Sequence, residues 1–117
     1  MSKKIESYAA LVRVCRSAGL WYVGSFMMEF LEKQDLWRNP DTKGMFIHQM
    51  ITEYDVGDSE SSAITRINCV IRIIESKKVE EALQMVLDCN DKKLGCSDSK
   101  INAQLCLDEI RKGNFKL

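Results

Sequence analysis

One proline, one histidine and no surplus of either charge mark this chain of 117 residues, in which Lys plus Arg and Asp plus Glu each number 17. Each scarcity excludes something. With Pro40 alone to remove a backbone donor, long stretches are free to be helical. With His48 alone, a closed zinc site or a histidine-based catalytic pair lacks the residues it needs. Balanced charge argues against a surface given over to a polyanion, so any contact with nucleic acid must be local. The most apolar stretch, Leu20 to Leu31, is broken by Glu29 and falls well short of the ~20 residues that cross a bilayer.

The N-terminal lysines Lys3 and Lys4 are followed by Glu6, Arg13 and Arg16, which interrupt any apolar core of a secretory signal. Cys15, Cys69, Cys89, Cys96 and Cys106 are odd in number and include no Cys-x-x-Cys pair, so they read as free thiols and not as a disulfide framework. A reducing cytoplasm is the expected location. Cys15 and Cys106 lie on apolar helical faces and read as small core residues, whereas Cys96, between Gly95 and Ser97, reads as exposed.

Phosphate loops, His-Glu-x-x-His and nucleophile elbows do not occur. Glu53, Asp55 and Asp58 form an acidic cluster whose ordinary role is to complement a helix start. The expectation is a protein that is not an enzyme, with no catalytic residue, no metal and no cofactor.

Helical periodicity runs through most of the chain, and the fold class it predicts is all-α: a compact single-domain bundle of five to six helices over 1–117, with a helix-turn-helix-like pair in the middle. The first helix spans about 4–18, with Ile5, Tyr8, Ala9, Val12 and Cys15 inward and Gly19 as its stop. The second spans about 20–36. Asn39-Pro40-Asp41 is a turn, with Asp41 or Thr42 opening a third helix to 54 that buries Met45, Phe46 and Met50. A fourth runs 59–76, a fifth 78–89 with Val79, Ala82, Leu83, Val86 and Leu87 inside. A sixth, capped by Asp98 or Ser99 and ended by Gly113, has the stripe Ile101, Leu105, Cys106 and Ile110.

Two segments carry functional weight. In the second helix Leu20, Trp21, Tyr22, Val23, Phe26, Met27, Met28, Phe30 and Leu31 wrap almost all the way round, so the helix must be covered on every side. Gly24 and Ser25 would let a neighbour approach closely. Either the rest of the bundle supplies the cover or a partner does, in which case Trp21, Tyr22, Phe26, Met28 and Trp37 are the candidate interface.

The other segment is 45–75, where the break Asp55-Val56-Gly57-Asp58-Ser59 separates two helical patterns. Ala63, Ile64, Ile67, Val70, Ile71 and Ile74 form one face of the second of these. Ser62, Thr65, Arg66, Asn68, Cys69 and Arg72 form the other, which is either solvated or suited to phosphates and base edges. Residues 59–78 are net basic through Arg66, Arg72, Lys77 and Lys78 against Glu60 and Glu75.

The leading expectation is therefore a helical adaptor or inhibitor that binds another protein or a second copy of itself, with no membrane involvement. The alternative is a helix-turn-helix DNA-binding regulator with 59–72 as recognition helix and Ser62, Thr65, Arg66, Asn68, Arg72, Lys77 and Lys78 as its contacts. A small-molecule or nucleotide sensor with a pocket between helices at a dimer interface is a third.

Overall fold

The computed structural model describes residues 5–54, 59–90 and 98–115. Among these residues the structure is all-helical, with seven helices and no strand: α1 (Tyr8–Ala18), α2 (Leu20–Glu32), α3 (Gln34–Trp37), α4 (Pro40–Glu53), α5 (Glu60–Glu75), α6 (Val79–Asp88) and α7 (Asp98–Arg111). They enclose a single cluster of buried side chains. No described helix is long and apolar enough to cross a membrane.

Helix boundaries follow capping chemistry. Ser7 accepts a hydrogen bond from the Ala10 amide and opens α1; Ser59 does the same for α5 through the Ser62 amide. Asn39 caps α4 through the Asp41 amide, which puts Pro40 inside the helix at its first position. The helix thus begins two residues before the expected Thr42, since a proline at the first position gives up a donor that is unpaired there anyway.

The seventh helix, one more than expected, comes from a break at Lys33 in what reads as one long second helix. The short α3 is tied back by the Trp37 indole, whose Nε1–H donates to the Phe30 carbonyl at 2.7 Å. Gly113 closes α7 as anticipated.

Helix α2 is the centre of the molecule, packed by α1, α5, α6 and α7. Its Val23, Met27 and Phe30 have no solvent exposure, so the cover that its all-round apolar surface demands comes from the chain itself. Helix α7 lies closest. Ser99, at its start, bridges to α2 through the Ser25 hydroxyl at 2.7 Å and donates to the Trp21 carbonyl at 2.9 Å. Cys106, two turns on, is near Glu32, so the two helices run parallel.

The close approach depends on Gly24: a Cβ there would sit 2.8 Å from both the Ser99 carbonyl oxygen and Val86 Cγ1. Small residues on α7 therefore turn inward. Its buried face is Ser99, Ala103, Cys106, Leu107 and Ile110, and the stripe anticipated from Ile101 and Leu105 is instead 60% and 51% exposed.

Similar rotations occur in α1 and α4. Helix α1 buries Leu11, Val14, Cys15 and Ala18; Ile5 is also buried, just ahead of the helix, with its amide donating to Ser76 Oγ at 2.9 Å. Tyr8 is 70% exposed, Ala9 is exposed and Val12 is half-buried. Two apolar stripes lie side by side on this helix, and the core uses the one with the smaller residues at its C-terminal end, where α1 meets α5. In α4, Phe46 and Met50 are buried as expected, but Met45 points outward.

Candidate functional site

Displacement of Tyr8 and Val12 from the core creates a groove. Helices α1 and α6 both pack on α2 and α5, and between them lies a hollow of about 290 Å³ lined by Tyr8, Val12 and Arg16 of α1, Leu20 at the start of α2, and Met85 and Asp88 of α6. Tyr8, Val12 and Arg16 share a face because they are four residues apart. The groove is apolar along its length and carries one cation on the α1 wall and one anion on the α6 wall. Arg16 has no hydrogen bond or ion pair among the described residues; Asp88 accepts from Gln84 Nε2 at 3.0 Å.

Two thiols also reach the groove, Cys15 at its base and Cys89 at its end. Burial pushes the Cys15 thiol up to about 12, with Cys69 nearby adding to the effect. It is held protonated, as a small apolar side chain and not as a nucleophile. Cys106 is likewise pushed up to about 12 by burial, then by the charge of Glu32. Both match the expectation of core cysteines; Cys96 lies outside the described residues.

A larger hollow, about 810 Å³, opens between the ends of α2 and α5 and the C-terminal segment. Its walls alternate in sign, with Glu32, Asp35 and Glu75 set against Arg38 and Lys77, whereas ligand pockets are mostly apolar with a few convergent polar groups. On α7, Ile101 and Leu105 are exposed apolar side chains one turn apart.

The anticipated interface residues divide. Tyr22 and Trp37 are 4% and 3% exposed and belong to the core: Tyr22 packs against Phe26 and Phe30, and Trp37 is sealed by its bond to Phe30 and by Arg38, whose guanidinium lies 4.6 Å from the ring centre. Trp21, Phe26 and Met28 are half-buried against the core. Phe26 packs on Tyr54 with tilted rings 5.2 Å apart, and the Arg66 guanidinium covers Trp21 at 5.1 Å.

The candidate nucleic-acid residues are also dispersed. Ser62, Thr65 and Asn68 are exposed on α5, and Arg72 is half-buried. Arg66 turns inward, where its Nη1 donates to the Ala18 carbonyl that ends α1. Lys78 pairs with Glu81 at 3.6 Å. Lys77 occupies the left-handed turn after α5, with φ of 59°; at 1.5 Å per residue it lies about 22 Å from Ser62 along the helix axis. Of the anticipated break, Asp55, Val56, Gly57 and Asp58 lie outside the described residues.

His48 and Glu53 stand exposed on α4. The groove residues were missed because Tyr8 and Val12 sit at spacings that suit a core stripe equally well. The surviving signal was Arg16, a charge at the end of that stripe. Compared with known proteins, the chain matches no family model, no curated protein and no solved structure.

Proposed function

We propose that this protein works by binding another protein and not by catalysis, and that the groove between α1 and α6 is its docking surface. The observation that carries this reading is the second apolar stripe of α1. Tyr8 and Val12 face the groove opposite Met85 while a different stripe of the same helix makes the core. A tyrosine that is 70% exposed beside an apolar hollow is the kind of aromatic anchor that interface centres favour. Trp21, Phe26 and Met28, partly exposed on α2, do not line this groove. Nucleic-acid binding by α5 is the less favoured reading, since Arg66 is committed to Ala18 and Trp21.

The test compares capture from source-cell lysate by the native chain with capture by Val12→Glu and Met85→Glu, each run with and without nuclease. The reading expects a protein partner that survives nuclease and is lost with both variants. Capture that the variants leave intact, or that nuclease abolishes, removes it.

A further inference from the structure

We infer that the occupant of the α1–α6 groove is a second copy of this chain, related by a two-fold axis. This rests on the docking reading above and adds the identity of the partner. The argument is charge complementarity. An isologous interface brings each residue of one patch against its counterpart's neighbours, so that when residue i meets j, j also meets i. A groove with Arg16 on one wall and Asp88 on the other satisfies that rule by itself: turned about a two-fold axis, the Arg16 of each protomer faces Asp88 of the other, and both ion pairs form at once. A patch with a single sign of charge would repel its own copy.

Two further features suit the same occupant. The formal net charge is zero, with 17 basic and 17 acidic residues, so the whole-molecule field does not oppose self-association. The groove, at about 290 Å³, takes one large side chain rather than a helix. Tyr8 stands 70% exposed at its margin, which places an anchor of that size beside each groove. In the dimer each Tyr8 enters the partner's groove against Val12, Leu20 and Met85, and the Arg16 and Asp88 pairs form the rim. Each site is incomplete without the other copy's ring.

The experiment uses the purified 117-residue chain, so no foreign protein takes part. Sedimentation equilibrium from about 1 to about 200 µM covers the range of a small, weak interface. The native chain is expected to dimerise, and Tyr8→Ala to weaken the dimer at least tenfold. Arg16→Glu and Asp88→Arg, each of which sets two like-charged pairs face to face, should each weaken self-association at least tenfold. An equimolar mixture of those two variants should recover a heterodimer, because its two facing pairs are again opposite in sign. Melting curves of these surface variants should match the native chain.

A native chain that stays monomeric throughout overturns the inference. So does a dimer indifferent to the three substitutions, or a mixture that fails to recover association. The docking reading falls separately, only if the lysate experiment shows no groove-dependent protein partner.

Discussion

Arg66 on α5 donates a hydrogen bond to the carbonyl of Ala18, the last residue of α1, across 48 residues of sequence. A helix ends with carbonyls that have no partner within it, and a guanidinium brings to one of them a positive charge that the helix dipole favours. The same group covers the Trp21 ring. Gly19 makes room for it: its φ is 89°, and a Cβ there would sit 2.6 Å from Arg66 Nη1. One arginine thus locks the α1–α2 corner onto α5.

Arg66→Ala should therefore cost stability, by about 2 kcal/mol from the charged hydrogen bond and the cation–π contact together. Urea unfolding measures it, and the Trp21 contribution to fluorescence should shift to that of a more exposed ring. An unchanged midpoint would show the corner to be energetically silent. In the nucleic-acid reading Arg66→Ala would instead weaken duplex binding while leaving the midpoint alone, so one variant separates the two roles.

Gly24 and Gly44 should respond to alanine with opposite signs. At Gly24 the added methyl meets the Ser99 backbone and Val86, and overpacking of this kind costs about 1–3 kcal/mol. At Gly44, inside α4, a Cβ meets nothing within 4 Å, so the gain in helix propensity is about 0.5–1 kcal/mol. Thermal melts of the two variants should bracket the native chain; a shift in the same direction for both would contradict the packing described.

Lys77→Gly should stabilise the protein. Lys77 ends α5 in the left-handed conformation, with the Lys78 amide on the Ile73 carbonyl and the Lys77 amide on that of Ile74. This Schellman closure ordinarily holds glycine, and the left-handed geometry costs a side chain about 1 kcal/mol. Removing the side chain should raise the unfolding free energy by about that amount, less the flexibility given to the unfolded chain. A destabilised variant would mean that the lysine stem contributes packing at this turn.

Stability should fall at high pH. Cys15 and Cys106 keep their protons in the folded chain until about 12, against an ordinary value of 9.0. Above pH 9 the unfolded chain therefore loses protons that the native state retains, and the loss of stability continues to about pH 12. Each thiol contributes a slope of about 1.4 kcal/mol per pH unit in that window. Tyr54, raised by burial and then by Glu29, acts in the same direction, as does Lys33, raised first through its hydrogen bond to Glu29. Urea midpoints at pH 7, 9 and 11 give the slope, and Cys15→Ala with Cys106→Ala should flatten it. A native chain equally stable at all three would contradict the burial of both thiols.

Helix existence was legible because apolar spacing, Ser59, Gly19 and Gly113 each carry a local signal. The central place of α2 was legible for a similar reason, since a helix apolar on every side has one destination. Facing was harder. In α1 and α7 two apolar stripes compete; the choice depends on packing against α5 for α1 and on the close approach of Gly24 to Ser99 for α7, tertiary matters that no local window contains. The break at Lys33 and the inward turn of Arg66 are of the same kind: both are made by partners, Phe30 to Trp37 and Ala18 to Arg66, that come together only in the fold. The groove was least legible of all, being made of the stripe that the core declined.

The pairing of α2 with α7 also has a consequence for how the chain is made. The helix that needs most cover is synthesised before its main neighbour, the last helix described, with 65 residues between Glu32 and Asp98. At cellular synthesis rates of 5–20 residues per second that interval is roughly 3 to 13 seconds. Throughout it a nascent chain carries α2 without α7, so the Ser25–Ser99 bridge and the close approach at Gly24 wait on the last helix described.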